Sequence, residues 1–235
     1  MAQLMSAETP PNPPRLRRAC RSPAAWLTLL IVFALGLGAD LYSKAWSFRT
    51  VAGQPVVLDR DRLLADPGHN PVDWRAAGRP LLPGDLLRLK LVLNPGAVFG
   101  IGAHQRWFFI VFTIVALAAG LLVFGRFTTS RSRLAHVAIA LVLAGGLGNL
   151  YDRIAFGRVR DFIQALPGRR LPFGWTWPGT HNWELFPWVF NVADVLLLAG
   201  MILLMIHINR LEKRRRREMP RPAGEGAAAD TAAEV

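Results

Sequence analysis

At 235 residues the chain has room for one domain or one compact membrane bundle, and its 52% hydrophobic and 19% charged residues leave it poorer in charge than the about 25% of soluble domains. A net charge of +12 invites a nucleic-acid reading. Lys and Arg, however, gather at the ends of apolar blocks rather than on an aromatic-interleaved face, which excludes that class in favour of a membrane protein. The lone Cys20 excludes an internal disulfide framework and any multi-cysteine metal site, and reads as an incidental free thiol.

In chain order, residues 1–25 are polar and rich in breakers, and read as a disordered tail. A helix needs about 20 mostly apolar residues to cross the hydrocarbon core. Four segments meet that length, at about 26–46, 107–124, 134–151 and 186–208. Trp26, Trp46, Trp107 and Trp188 stand near their ends, where interfacial anchors belong. Between the first two spans, 52–84 is rich in Pro, Gly and Asp, and 86–93 (LLRLKLVL) alternates as a β-strand does. After the fourth span, 209–235 is first strongly basic and then polar, a basic segment followed by a disordered tail.

Basic residues orient the bundle. Arg15, Arg17, Arg18 and Arg21 precede the first span, Arg126, Arg131 and Arg133 fill the short 126–133 loop, and Arg210 and Lys213 to Arg217 follow the fourth. Density close to the spans puts both termini and that loop in the cytoplasm, with loops 47–106 and 152–185 outside.

An Asp in a membrane helix costs roughly 2.5–3.5 kcal/mol on insertion scales, so each one needs a reason. Asp40 and Lys44 share a helix face at i, i+4, and a structural ion pair is their simplest reading. Asn149, Asp152 and Arg153 end the third span, Asp161 follows a short turn, and Asn191 and Asp194 open the fourth. The third span leads outward and the fourth leads back, so these groups converge at one depth, at the outer face. Two close carboxylates share a proton, and such a dyad activates a water with its base while its acid polarises a peptide carbonyl. Two readings compete for single residues: an Asp that merely caps a helix or pairs with Arg153, Arg158 or Arg160, and a weak metal site built from Asp161, Asp194 and one histidine.

Five blocks in order then resemble lipoprotein signal peptidase, the signal peptidase II family: D-L-Y-S-K (40–44), N-P-G-A-V-F-G (94–100), G-G-L-G-N-L-Y-D-R (145–153), V-R-D-F-I (159–163) and F-N-V-A-D (190–194). The resemblance covers about 26–208. It implies an all-α membrane protein, a four-transmembrane-helix bundle with a small extracytoplasmic β-sheet cradle between helices 1 and 2. It also implies an aspartic endopeptidase of the bacterial inner membrane that cleaves diacylglyceryl-modified prolipoproteins before the lipidated cysteine, without metal or cofactor; a four-span bundle can act alone, as a monomer. Asp161 and Asp194 would be catalytic. Asn94, Gly96, Asn149, Arg153 and Asn191 would bind substrate and orient the dyad, with Asp40, Lys44 and Asp152 in support. Val195 departs from the family, which often has a small hydroxyl residue after the second Asp. The outer loop with its 52–84 insertion is longer than usual.

Two other classes stand against this reading. A transporter relay through Asp40, Lys44 and Asp194 needs polar residues deep in several spans, and the middles of the second and third hold almost none. A non-catalytic scaffold leaves the N-P-G and F-N-V-A-D blocks without a purpose.

Overall fold

The computed structural model describes residues 17–66, 68–73, 78–96, 105–178 and 181–218. Four helices in it are long and apolar enough to cross a membrane: α1 (Pro23–Thr50), α3 (Arg106–Phe127), α4 (Arg133–Phe156) and α5 (Val192–Glu218). A short helix, α2 (Arg60–Ala65), and a four-stranded antiparallel sheet complete the fold, the strands being β1 (Arg79–Pro80), β2 (Leu87–Asn94), β3 (Val159–Ala165) and β4 (Val189–Phe190).

α1 starts where Ser22 accepts the Ala25 N–H at 3.3 Å and Pro23 occupies the first turn, its missing N–H being one the helix start leaves unpaired anyway. α4 is the central helix: two-thirds of its apolar window is buried, against 11–22% for the others, and α1, α3 and α5 all pack on it. Small residues make that approach possible. A Cβ on Gly148 would collide with the Asp40 carboxylate, and one on Gly145 with the Ala193 carbonyl.

The segment 17–25 departs from the expected disorder. Ala19 is buried, its N–H donates to Thr128 O at 3.0 Å, and the Ser130 N–H donates to Arg17 O at 2.9 Å, so this stretch is strapped to the α3–α4 turn. Residues 1–16 and 219–235 lie outside the described residues, and with them most of both expected tails.

The fourth span also starts later than expected. Pro187 interrupts any helix over 186–190, and Val189 and Phe190 pair instead with Gln164 and Ile163 of β3. Trp188 therefore lies on an extended stretch beside Trp177, ring centroids 4.6 Å apart, rather than at a helix end. The sheet is not confined to the segment between the first two spans. Half of its strands come from the loop between α4 and α5, in the order β1-β2-β3-β4.

β2 is the strand expected at 86–93, shifted by one residue. Leu89, Leu91 and Leu93 enter a small core with Phe48, Leu63 and Phe162, while Lys90, Val92 and Asn94 line a groove on the other side. A one-residue bulge follows Leu89. Continuing the Leu89–Ile163 register would set Leu91 across from Asp161 and Leu93 across from Val159. The bulge sets Val92 and Asn94 there instead, so an amide and not a leucine stands beside Asp161.

Candidate active site

The elements meet at one end of the bundle, where the C-terminal half of α1, the end of α4, the middle of β3 and the start of α5 come together. Each polar side chain there is held by a traceable network.

Asn191 caps α5. Its Oδ1 accepts the Asp194 N–H at 3.1 Å, and Asp194 Oδ2 accepts the Asn191 N–H at 3.0 Å, a reciprocal capping box built from Asn and Asp. The carboxylate lies at the positive end of the helix dipole. Its other oxygen, Oδ1, accepts Asn149 Nδ2 at 2.8 Å. Asp161 projects from β3 and is 2% exposed. Its Oδ1 accepts Asn191 Nδ2 at 2.6 Å and its Oδ2 accepts Asn94 Nδ2 at 3.0 Å. Asn191 thus donates to both carboxylates, through its side chain to one and its main chain to the other.

Asn94 is oriented in turn by the Gly96 N–H, which donates to its Oδ1 at 3.0 Å in an Asx turn. Arg153 reaches over from α4, donating to Asn149 O at 3.2 Å and Gly96 O at 3.4 Å, with its guanidinium 5.0 Å from the Phe109 ring centroid. The rest of the N-P-G-A-V-F-G block, 97–100, and His104 lie outside the described residues.

Behind the two carboxylates lies a fully buried ionic layer. Lys44 Nζ donates to Asp40 Oδ2 at 2.8 Å and to Asn149 Oδ1 at 3.0 Å, and lies 3.4 Å from Asp152 Oδ2. Asp40 Oδ1 accepts the Ala193 N–H at 2.8 Å, tying α1 to the first turn of α5. Asp152 accepts Arg160 Nε at 3.0 Å, Arg160 Nη2 at 2.7 Å and the Arg160 N–H at 2.9 Å. Asp152 is therefore a brace between α4 and β3, and the competing reading that pairs an Asp with Arg160 holds for this one residue. Buried charges persist only when paired and hydrogen-bonded, and all four here are.

Asp161 and Asp194 both line a groove of about 1490 Å³. Its lining includes Phe109 and Phe112 of α3, Leu198 and Met201 of α5, and Trp183 and Trp188. Burial raises the Asp161 carboxyl from 3.8 to about 7; the charge of Asp194 adds to this, while the Asn94 and Asn191 hydrogen bonds pull against it. At neutral pH one proton is therefore easily held on this pair. Among the described residues no group of three or more His, Cys, Asp or Glu side chains is placed to hold a metal ion.

Sequence reasoning did not single out Arg106. From the start of α3 it donates to the carbonyls of Arg153 at 2.8 Å and Ile154 at 3.1 Å, satisfying two groups at the end of α4. It likewise missed the aromatic wall from the α4–α5 loop. No spacing in the chain signals either, because both depend on contacts between distant segments.

A family model described as Signal peptidase (SPase) II matches residues 32–210. The lipoprotein signal peptidase of Symbiobacterium thermophilum is 39% identical over 134 residues, covering 57% of this chain and 77% of its own. That of Syntrophus aciditrophicus is 33% identical over 172 residues, covering 72% and 95%. Two solved bacterial membrane enzymes, determined in meso at 2.3 Å and 1.9 Å, superpose with TM-scores of 0.55 and 0.52 at 24% and 25% identity. They cover 88% and 82% of this chain, and 99% and 96% of their own.

Proposed function

The chain belongs to the signal peptidase II family, and from that membership we propose that it is a membrane aspartic endopeptidase that removes the signal peptide of prolipoproteins by cutting before a diacylglyceryl-modified cysteine. Asp161 and Asp194 are its catalytic pair. The observation that carries this reading is the placing of both carboxylates in one apolar-walled groove, each oriented by asparagine donors, with Asp161 raised to about 7.

Asp194, oriented by Asn149 Nδ2 and the Asn191 N–H, takes a proton from water as the water oxygen attacks the scissile carbonyl carbon. Asp161, carrying the shared proton, gives it to the carbonyl oxygen, which yields a neutral tetrahedral gem-diol. In the second half of the reaction the proton now on Asp194 goes to the leaving nitrogen. Asp161 takes one back as the C–N bond breaks and the carboxylic acid of the signal peptide forms. The pair ends with one proton, as it began. Asn94, Gly96, Asn149, Arg153 and Asn191 orient the pair and hold the substrate backbone, with Asp40, Lys44 and Asp152 in support.

Both termini and the α3–α4 turn lie in the cytoplasm, and the sheet cradles the site at the outer face of the inner membrane. A lipid-anchored substrate keeps its signal helix and acyl chains in the bilayer, so its scissile bond lies at that surface. The walls contributed by α3 and α5 admit it sideways from lipid. The peptidase domain spans 26–208 and acts as a monomer without cofactor.

Incubation of the purified full chain with a diacylglyceryl-modified lipobox peptide, followed by mass spectrometry, tests the reading. A single cut before the modified cysteine is expected, with the unmodified peptide cut far more slowly. Absence of that cut overturns the proposal.

A further inference from the structure

Between β3 and β4 the chain runs out and back in two arms, whose described residues are 169–178 and 181–185, and part of the first arm takes no part in the site. The arms are tied by the Leu171 N–H to Trp183 O at 2.8 Å, the Trp177 N–H to Asn182 O at 3.0 Å and the Leu185 N–H to Arg169 O at 2.6 Å. Trp177 Nε1 donates to Glu184 O at 2.9 Å, and the Arg170 guanidinium lies 4.5 Å from the Trp183 ring centroid. At the innermost tie, Trp177 packs edge-on against Trp188, which lines the groove. The hairpin is thus braced to the wall of the site.

The first arm is unusual. Phe173 is 88% exposed and Trp175 62%, and their rings lie 5.8 Å apart. Phe173 also sits in the left-handed region at φ +59, a conformation bulky residues rarely adopt. The fold therefore holds a large apolar ring outward on a strained backbone. Arg169 and Arg170, both exposed, stand at the base.

The surroundings indicate what covers this arm. The hairpin is joined through β3 to the end of α4 and through β4 to the start of α5, two helices long and apolar enough to cross a membrane. Exposed Trp and Phe beside Arg is the chemistry of a headgroup interface, where ring faces meet the upper acyl chains and guanidinium groups meet phosphates. The groove that Trp183 lines is also lined by Leu198 and Met201, both more than half exposed on the lipid-facing side of α5.

We propose that the first arm, 169–175, is a lipid-interface anchor, with Phe173 and Trp175 seated in the leaflet on the Asp161–Asp194 side and Arg169 and Arg170 on its phosphates. It fixes the height of the groove mouth relative to the bilayer surface.

The test uses the full chain in nanodiscs of mixed anionic and zwitterionic lipid. In a Cys20→Ser background, nitroxides are placed at Phe173→Cys, at Trp175→Cys and, as an aqueous reference, at Val57→Cys, a residue 78% exposed in the loop after α1. Collision rates with oxygen and with a neutral nickel chelate report depth. The ratio of oxygen to nickel accessibility is expected to be severalfold higher at 173 and 175 than at 57. Equal ratios at all three positions overturn the proposal. Wild-type chain with a diazirine-bearing phospholipid provides the check free of substitution: adducts are expected on Phe173 or Trp175, with yield reduced in Arg169→Gln/Arg170→Gln. An arm without adducts, as an aqueous arm or a protein-covered one would leave it, equally overturns it.

Discussion

Lys44 Nζ lies 3.0 Å from Asn149 Oδ1, and that contact determines which way a site amide faces. An ammonium only donates, so the atom it touches is the carbonyl oxygen. Nδ2 of Asn149 must then point the other way, to Asp194. A lysine buried in α1 thus sets the hydrogen bond received by a carboxylate in α5. Replacing Asn149 with Ala should lower kcat by about 10–10²-fold with KM changed by no more than a few-fold, the pattern of a lost orienting donor. Steady-state kinetics on a lipopeptide substrate check this.

Lys44→Met should behave differently, because Asp40 and Asp152 are left facing each other across a site with no exposure. Breaking a buried pair costs about 3–5 kcal/mol, so the expected outcome is a large fall in thermal stability along with activity. Thermal unfolding in detergent, followed by intrinsic tryptophan fluorescence, measures it.

Glycine substitutions along the bundle should divide sharply. Gly148→Ala drives a methyl into the Asp40 carboxylate and should severely reduce the yield of folded protein. Gly38→Ala meets no atom within 4 Å and should be neutral, or more stable by up to about 1 kcal/mol from helix propensity. Expression and melting of the two variants side by side give the comparison.

The Asp161 carboxyl carries a pH signature. Its value is raised by burial from 3.8 to about 7, so the folded state favours the neutral form. The stabilising contribution is complete below the ordinary value and is lost as pH rises through about 7. Activity should share that limb: kcat/KM is expected to fall about tenfold per pH unit above roughly 7, as the shared proton leaves. Asp161→Asn should remove the corresponding slope from the stability profile. A wild-type rate profile that stays flat from pH 6 to 9 would contradict the assignment of the proton to Asp161.

The spans were legible in the sequence because a bilayer imposes length and apolarity on a helix. The convergence of Asn149, Asp161, Asn191 and Asp194 was legible because charged groups near lipid need a purpose. The start of the fourth helix was not: 186–190 is aromatic and apolar, which suits strand and helix alike, and its pairing with β3 is a long-range event. Asp40 and Lys44 were readable as a pair from their spacing, but their reach to Asn149 was not, since that partner lies 105 residues away. The bulge that brings Asn94 beside Asp161 leaves no mark in an alternating strand. Asp152 was expected in support, but its partner Arg160 was not legible, because that brace joins the end of α4 to a strand.

The measurement that bears most directly on the central claim is cleavage of a diacylglyceryl prolipoprotein by Asp161→Asn and Asp194→Asn, each purified in the membrane and shown to melt cooperatively. Both should lose at least about 10³-fold in kcat while remaining folded, because water activation and carbonyl protonation each need a carboxyl group. Full activity in either folded variant would contradict the account.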